Sequence, residues 1–433
     1  MNRRHFLGAV AASSKLAAAA PPPNIVFLIS DDHHWQALGV NGNAKIRTPN
    51  LDALAQRGVL FQQGVISVPQ CAPSRGVLLS GQEIHQTGLD SNGHTGYTKF
   101  QGPTIVEQLK RAGYRTTLIG KWHIKPLPAE CGFTDAPLWL RGGGSVYRDP
   151  KLRRGLDAQD ETVPGHITDL LTDAAIAALK KADGPQFLWL AYNAPHTPWF
   201  AAAKYHAEYK GRKAELAPPV HPTSAREFDW ETYYAVITHL DEAIGRLVKA
   251  LPWDNTLFVF LGDNGYLCGT KGLSGKVYPW EESVRVPFFI SGGAVKKGGV
   301  VSQAPVASID LPSTFLDYAG VKPATPQFGA TLRPLLEGKK FSRDVAFSCW
   351  NDPRPEALAV NHAVEPWRIA RAAKMKYIVW ESGKEALYDI AADPGEEKNL
   401  AADPAHAKDL AFLKGRLRAR MQATQDRALS WRS

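Results

Sequence analysis

The chain has 433 residues, 44% of them apolar and 21% charged, which excludes a disordered, collagenous or coiled-coil protein and allows two or three domains around a large core. Its formal charge of +9 comes without any Lys/Arg block dense enough to argue for nucleic-acid binding, and four cysteines are too few for a disulfide-stapled scaffold. Beyond the N-terminus no apolar run reaches the ~20 residues of a membrane span. Residues 1–20 place Arg3-Arg4 ahead of a short, weakly apolar stretch and a run of alanines, the pattern of a twin-arginine export signal cleaved after Ala19. That predicts an exported protein, periplasmic or extracellular.

From there the chain alternates strand and helix patterns. Asn24 to Ile29, Arg115 to Ile119, Phe187 to Tyr192 and Thr256 to Leu261 read as buried strands. Val286 to Ile290 is a weaker strand, because Pro287 suits an edge or a strand start. Helical periods run over Asn50 to Arg57, Thr104 to Ala112, His166 to Lys181 and Trp230 to Leu251. Two long irregular stretches, 141–164 with Gly142-Gly143-Gly144 and 197–229 with Pro218-Pro219, read as functional surface loops. After Gly338 short strands (Asp344 to Trp350, Trp367 to Trp380) and a closing helix (Ala405 to Thr424) predict a smaller C-terminal α+β unit. The expectation is an α/β fold: a large mostly parallel sheet flanked by helices over 21–338, and a subdomain over 339–433.

Ligands in open α/β sheets bind at the carboxyl ends of strands, and here four strands end on reactive residues. They deliver Asp31 and Asp32, Lys121 and His123, His196, and Asp263 with Asn264. One such residue alone serves equally as a helix cap or a satisfied core histidine; four sets together argue for a site. Asp31, Asp32, Asp263 and Asn264 offer only oxygen donors, the preference of Ca²⁺ or Mg²⁺ rather than zinc. Cys71-Ala72-Pro73-Ser74-Arg75 puts a cysteine at the positive end of a helix, with Arg75 one turn on, although an isolated cysteine is also a common small core residue.

Cys71-x-Pro73-Ser74-Arg75 with Gly81 resembles the signature of the formylglycine-dependent sulfatases of the alkaline-phosphatase superfamily. Asp31-Asp32, Thr48-Pro49-Asn50-Leu51-Asp52, Gly120-Lys121-Trp122-His123, Asn193-Ala194-Pro195-His196, Asp263-Asn264-Gly265, Lys276 and Glu281 to Pro287 resemble family segments in family order. Ser80, where the family usually has threonine, and the stretch from Cys268 to Gly275 depart from the pattern. The resemblance implies an alkaline-phosphatase-like fold, and that a separate maturation enzyme oxidises Cys71 to formylglycine. It implies a metal, Ca²⁺ or alternatively Mg²⁺, held by Asp31, Asp32, Asp263, Asn264 and the modified Cys71. Arg75 and Lys121 would hold the hydrated aldehyde, and His196 with Lys276 would bind sulfate and protonate the leaving alcohol. His123 would then take a proton from the second hydroxyl.

The expected substrate is a sulfated saccharide; an aryl sulfate or a phosphoric or phosphonic ester is the alternative. A non-catalytic protein that binds sulfated glycans is the remote one. Trp139, Tyr147, Trp199 and Phe200, in or beside the irregular loops, are candidates to stack on a sugar ring. His33, His34, His85 and His94 are left to surface or packing roles, with His85 placed to reach a substrate.

Overall fold

A computed structural model describes residues 21–93, 100–181, 183–219, 227–352 and 364–431. The predicted export signal (1–20) and His94 lie outside the described residues.

The centre of the molecule is β1 (Asn24–Ser30), a run of apolar residues buried from Ile25 onward. Burying its five side chains from Ile25 to Ile29 contributes on the order of 10 kcal/mol. Around it lies an eight-stranded sheet that also contains β2 (Val59–Phe61), β3 (Arg115–Lys121), β4 (Asp135–Leu140), β5 (Gln186–Ala191), β6 (Thr256–Gly262), β7 (Phe288–Ser291) and β8 (Val300–Ser302), in the order β8–β2–β7–β6–β1–β5–β3–β4. Only β7 runs antiparallel to its neighbours. Alternate side chains leave the two faces of β1 in opposite directions. Val26 and Leu28 pack with helices α1 (Pro49–Arg57), α4 (Ile167–Lys180) and α5 (Trp230–Val248). Ile25, Phe27 and Ile29 face α2 (Cys71–Ser80), α3 (Ile105–Arg111) and α6 (Asp310–Tyr318). Both faces are covered, which is why the parallel strands read as continuous apolar runs.

Pro287 proves to precede β7 rather than to mark an edge: the strand lies inside the sheet between β2 and β6. The edge strand β4 escaped the sequence pattern because Pro137 interrupts it, and its register against β3 shifts nearby. The predicted helix from Trp230 stops at Val248, short of Leu251. The 141–164 stretch contains only two short paired strands, Lys151–Leu152 and Glu161–Thr162.

The second, smaller sheet is antiparallel, with β9 (Ala346–Trp350), β10 (Trp367–Arg371), β11 (Met375–Trp380) and β12 (Glu385–Asp389) in that order. Tyr377 and Leu387 on one of its faces pack with Leu413 and Leu417 of α7 (Ala407–Thr424); Trp367 and Ile378 on the other pack with Val65, Val68 and Val277 of the larger unit. Among the described residues no helix is long and apolar enough to cross a membrane.

Candidate active site

β6, β1, β5 and β3 are adjacent and parallel, so their carboxyl ends open onto one place. Asp31 and Asp32 follow β1, Lys121 ends β3, Asn193 to His196 follow β5, and Asp263 and Asn264 follow β6. The N-terminus of α2 brings in Cys71 from below. Its thiol lies 3.4 Å from Asp31 Oδ1, 3.5 Å from Asn264 Oδ1 and 2.8 Å from Lys276 Nζ. Donor atoms of Asp31, Asp32, Cys71 and His196 fall within 4.8 Å of one another. Asp31, Asp32, Cys71, Asn264, Lys276 and His196 are therefore gathered in one place.

Three cations meet three carboxylates. Lys121 Nζ pairs with Asp31, Lys276 Nζ with Asp32 at 2.5 Å, and Arg75 with Asp263 at 2.8 Å. Burial opposes ionisation of Asp31, yet Lys121, with His196, Lys276 and Arg75, outweighs it and holds the carboxyl well below the usual range. Asp263 goes the other way. Burial and the neighbouring Asp31 push its pKa up against Arg75 and Lys121, and its Oδ1 is buried without a hydrogen-bond partner. Oxygen donors that converge with one acceptor left over fit a hard divalent cation.

Burial, then Asp31, pushes the Cys71 thiol up to about 12 despite its place at a helix N-terminus. As a thiol it is a poor nucleophile at neutral pH. Arg75 spends its guanidinium on Asp263 and on the Lys121 carbonyl at 2.5 Å, so it braces the strand ends.

The two site histidines differ. The Thr197 carbonyl, 2.5 Å from His196 Nδ1, can only accept, so Nδ1 carries a proton and Nε2 is the nitrogen that faces Asp32, at 3.7 Å. The His196 side chain is 22% exposed, which opens this side of the site to solvent. His123 is largely buried, and burial together with Lys121 and Arg75 pushes its pKa well down, so it is neutral at physiological pH. His123 and Asp32 both hold positive φ, 63° and 59°, a costly conformation that clusters at functional sites.

The glycine run Gly142-Gly143-Gly144 reads from sequence only as part of a functional surface loop, with nothing to say what it contacts. A Cβ on Gly143 would sit 2.5 Å from His123 Nε2, and one on Gly144 would sit 3.0 Å from His196. The loop lies directly on both imidazoles. Sequence reading missed Tyr233, whose hydroxyl donates to the Asp32 carbonyl at 2.7 Å and accepts from His34 N at 2.8 Å.

Other expectations need correction. Trp139 and Tyr147 are buried and cannot stack on a sugar. Trp139 donates to Gly155 O, and Tyr147 to His196 O. Phe200 is 43% exposed, and Trp199 is partly buried among Phe228, Tyr233 and Tyr266. His85 turns away to the Thr424 carbonyl at 2.9 Å. A second polar cluster, unmarked in the sequence reading, joins His239 to Asp169 at 3.0 Å. The His166 ring packs against His239 with centroids 4.1 Å apart, and Arg246 neutralises Asp169. All four cysteines are free.

The family profile "Sulfatase" matches residues 23–321, and "N-sulphoglucosamine sulphohydrolase, C-terminal" matches 269–424. The chain belongs to the sulfatase family. It is 26% identical, over 87% of its own length and 82% of the relative's, to an N-acetylglucosamine-6-O-sulfatase of Bacteroides thetaiotaomicron. A solved sulfatase-fold structure in complex with its substrate D-glucosamine-2-N,6-O-disulfate superposes with TM-score 0.83 at 25% identity, covering 94% of this chain and 99% of that one. The phosphonate monoester hydrolase of Agrobacterium radiobacter shares the fold at TM-score 0.75 and 21% identity, over 93% and 96% of the two chains. This sulfatase is thus a sulfuric ester hydrolase on an alkaline-phosphatase-like fold, in a family whose members use a metal and a formylglycine made from cysteine.

Proposed function

We propose that this sulfatase hydrolyses sulfate esters on a saccharide, with formylglycine at position 71 and Ca²⁺, or else Mg²⁺, as its metal. The observation that carries the reading is the convergence of Asp31, Asp32, Asn264 and Lys276 on the Cys71 thiol. The resemblance to an N-acetylglucosamine-6-O-sulfatase and to a structure holding a disulfated glucosamine supports a sugar substrate. Modification of Cys71 requires a maturation enzyme as a transient partner, and the Arg3-Arg4 leader supports export of the finished protein.

Asp31, Asp32, Asp263 and Asn264 would hold the metal, which when bound supplies charge neutralisation to the sulfate oxygens and to the nucleophile. The hydrated aldehyde at position 71 supplies a hydroxyl to attack sulfur and a second hydroxyl from which the aldehyde can be regenerated. Lys121 and Lys276 place two ammonium groups beside that position and oppose the charge of the sulfate group. Arg75 fixes Asp263 and the end of β3, and so acts on the diol through Lys121.

His196 faces the site through Nε2, so it gives a proton to the leaving alcohol only as the imidazolium. Neutral His123 can accept a proton from the second hydroxyl as sulfate departs. The direction of proton flow follows: in from His196, out to His123.

The test is a panel of sulfated saccharides, an aryl sulfate and a phosphate diester, assayed for free sulfate and free phosphate with matured protein. The expected result is sulfate release from one saccharide far above the aryl ester. Preferential phosphate release would overturn the sulfate-ester reading, and glycan binding without turnover would make the protein a lectin on a sulfatase fold.

A further inference from the structure

The loop that carries Lys276 does not hold itself. The two paired strands that precede Lys276, Leu267–Cys268 and Ser274–Gly275, are two residues each. The residue after the lysine, Val277, is fully buried at φ 76°, a conformation that a β-branched residue adopts only where its surroundings impose it. Those surroundings are two neighbours on opposite sides. Val277 N–H donates to Pro69 O at 3.1 Å, two residues before Cys71. The Val277 carbonyl accepts from the indole Nε1–H of Trp367 at 2.9 Å. Just beyond, Lys376 donates to Pro279 O at 2.8 Å, and the Glu281 N–H donates to the Glu396 carboxylate at 2.6 Å. Trp367 and Lys376 lie on β10 and β11 and are fully buried.

We infer that Trp367, in the C-terminal sheet, is a positioning residue for Lys276. The inference rests on the role given to Lys276 in the function proposed above. The indole fixes the carbonyl one residue beyond Lys276 while Pro69 fixes the intervening N–H. The lysine is thereby stretched between the C-terminal sheet and the approach to α2, where its ammonium meets Cys71 and Asp32 together. Without the indole N–H that carbonyl is orphaned in a buried place, the left-handed residue loses its restraint, and the ammonium moves off the reacting position. The C-terminal unit is in this sense part of the catalytic apparatus, though none of its residues touches the substrate through this contact.

A double-mutant cycle separates positioning from support of the fold. Trp367→Phe removes the N–H and keeps most of the ring; Lys276→Ala removes the group being positioned. On the best ester of the panel, kcat/KM is expected to fall ~10-fold in W367F and ~10²-fold or more in K276A. The double variant should be no slower than K276A alone. Melting temperature, in contrast, should drop by the same amount when W367F is added to either background. Wild-type kcat/KM in W367F, or losses that multiply in the double variant, would overturn the inference and leave Trp367 a structural residue. K276A with wild-type activity would instead overturn the role of Lys276, as would a wild-type protein that turns over no ester at all. Should W367F not fold, Val277→Gly loosens the same residue without straining it, and its cycle with K276A is expected to give the same pattern of rates, with multiplying losses again overturning the inference.

Discussion

Two buried charge clusters lie a short way apart along this chain, and they differ in what their charges are doing. Around Glu281, the Arg371 guanidinium approaches at 2.6 Å and Lys376 at 3.3 Å, with Glu396 completing the set. Burial opposes ionisation of Glu281, but Arg371 and Lys376 hold its pKa far down. The groups of this cluster are nearly sealed from solvent and are occupied with one another. Around Cys71 the charges are mostly buried and are equally balanced in sign. Each cluster leaves a buried polar atom without a hydrogen-bond partner, Arg371 Nη1 in the first and Asp263 Oδ1 in the second, but around Cys71 the cations and oxygens point at one thiol instead of only at each other. Side chains of the site remain open to solvent at His196 and Lys276. Paired charge joins two parts of a fold; charge that converges on one atom and opens to solvent waits for something.

The comparison can be broken most sharply at the site. Cys71→Ala should abolish turnover, by ~10³-fold or more, with little change in melting temperature; a large fall in stability would mean that the cysteine is a packing residue. Glu281→Gln should do the reverse and show first as lost stability, about 3–5 kcal/mol by denaturant titration, because it leaves two buried cations with one partner fewer. Removal of divalent ions with a chelator should lower activity and melting temperature together, and Ca²⁺ should restore both. A melting temperature indifferent to Ca²⁺ and Mg²⁺ would show that the leftover oxygen of Asp263 has another use.

The smallest effect concerns the His166–Asp169–His239 cluster, which resembles the structural kind. Burial, then His239, lowers the His166 pKa from 6.5 to about 4. The unfolded chain therefore takes up its proton first as pH falls, so stability present above pH 6.5 drains away between 6.5 and 4. His166→Asn, which keeps a capping side chain on α4, should flatten that fall when melting temperature is followed against pH.

Much of the site was legible because its chemistry sits at strand ends. β1, β3, β5 and β6 announce themselves as apolar runs, and the residues that follow each run are unusual there: Asp31-Asp32, Lys121 with His123, His196, and Asp263-Asn264. The parallel order then brings them together without further information. What stayed hidden depends on partners distant in sequence. Nothing near Trp367 says that its indole meets Val277, ninety residues away. Gly143 looks like any loop glycine until His123 is found against it. Strands β2 and β8 have three residues each, too few to show a period, and Pro137 broke the pattern of β4. Trp139 and Tyr147, beside and inside an irregular stretch, look like candidates to stack on a sugar, but both are buried and hydrogen-bonded within the fold.

The central claim is that position 71 does the chemistry only after its thiol has been converted. It is tested by preparing the protein with and without a coexpressed maturation enzyme. The fraction of Cys71 peptide present as aldehyde is then measured by mass spectrometry beside the rate of sulfate release. The account predicts a rate proportional to the aldehyde fraction, passing through zero where Cys71 is wholly a thiol. Undiminished sulfate release from protein that carries only the thiol would contradict it.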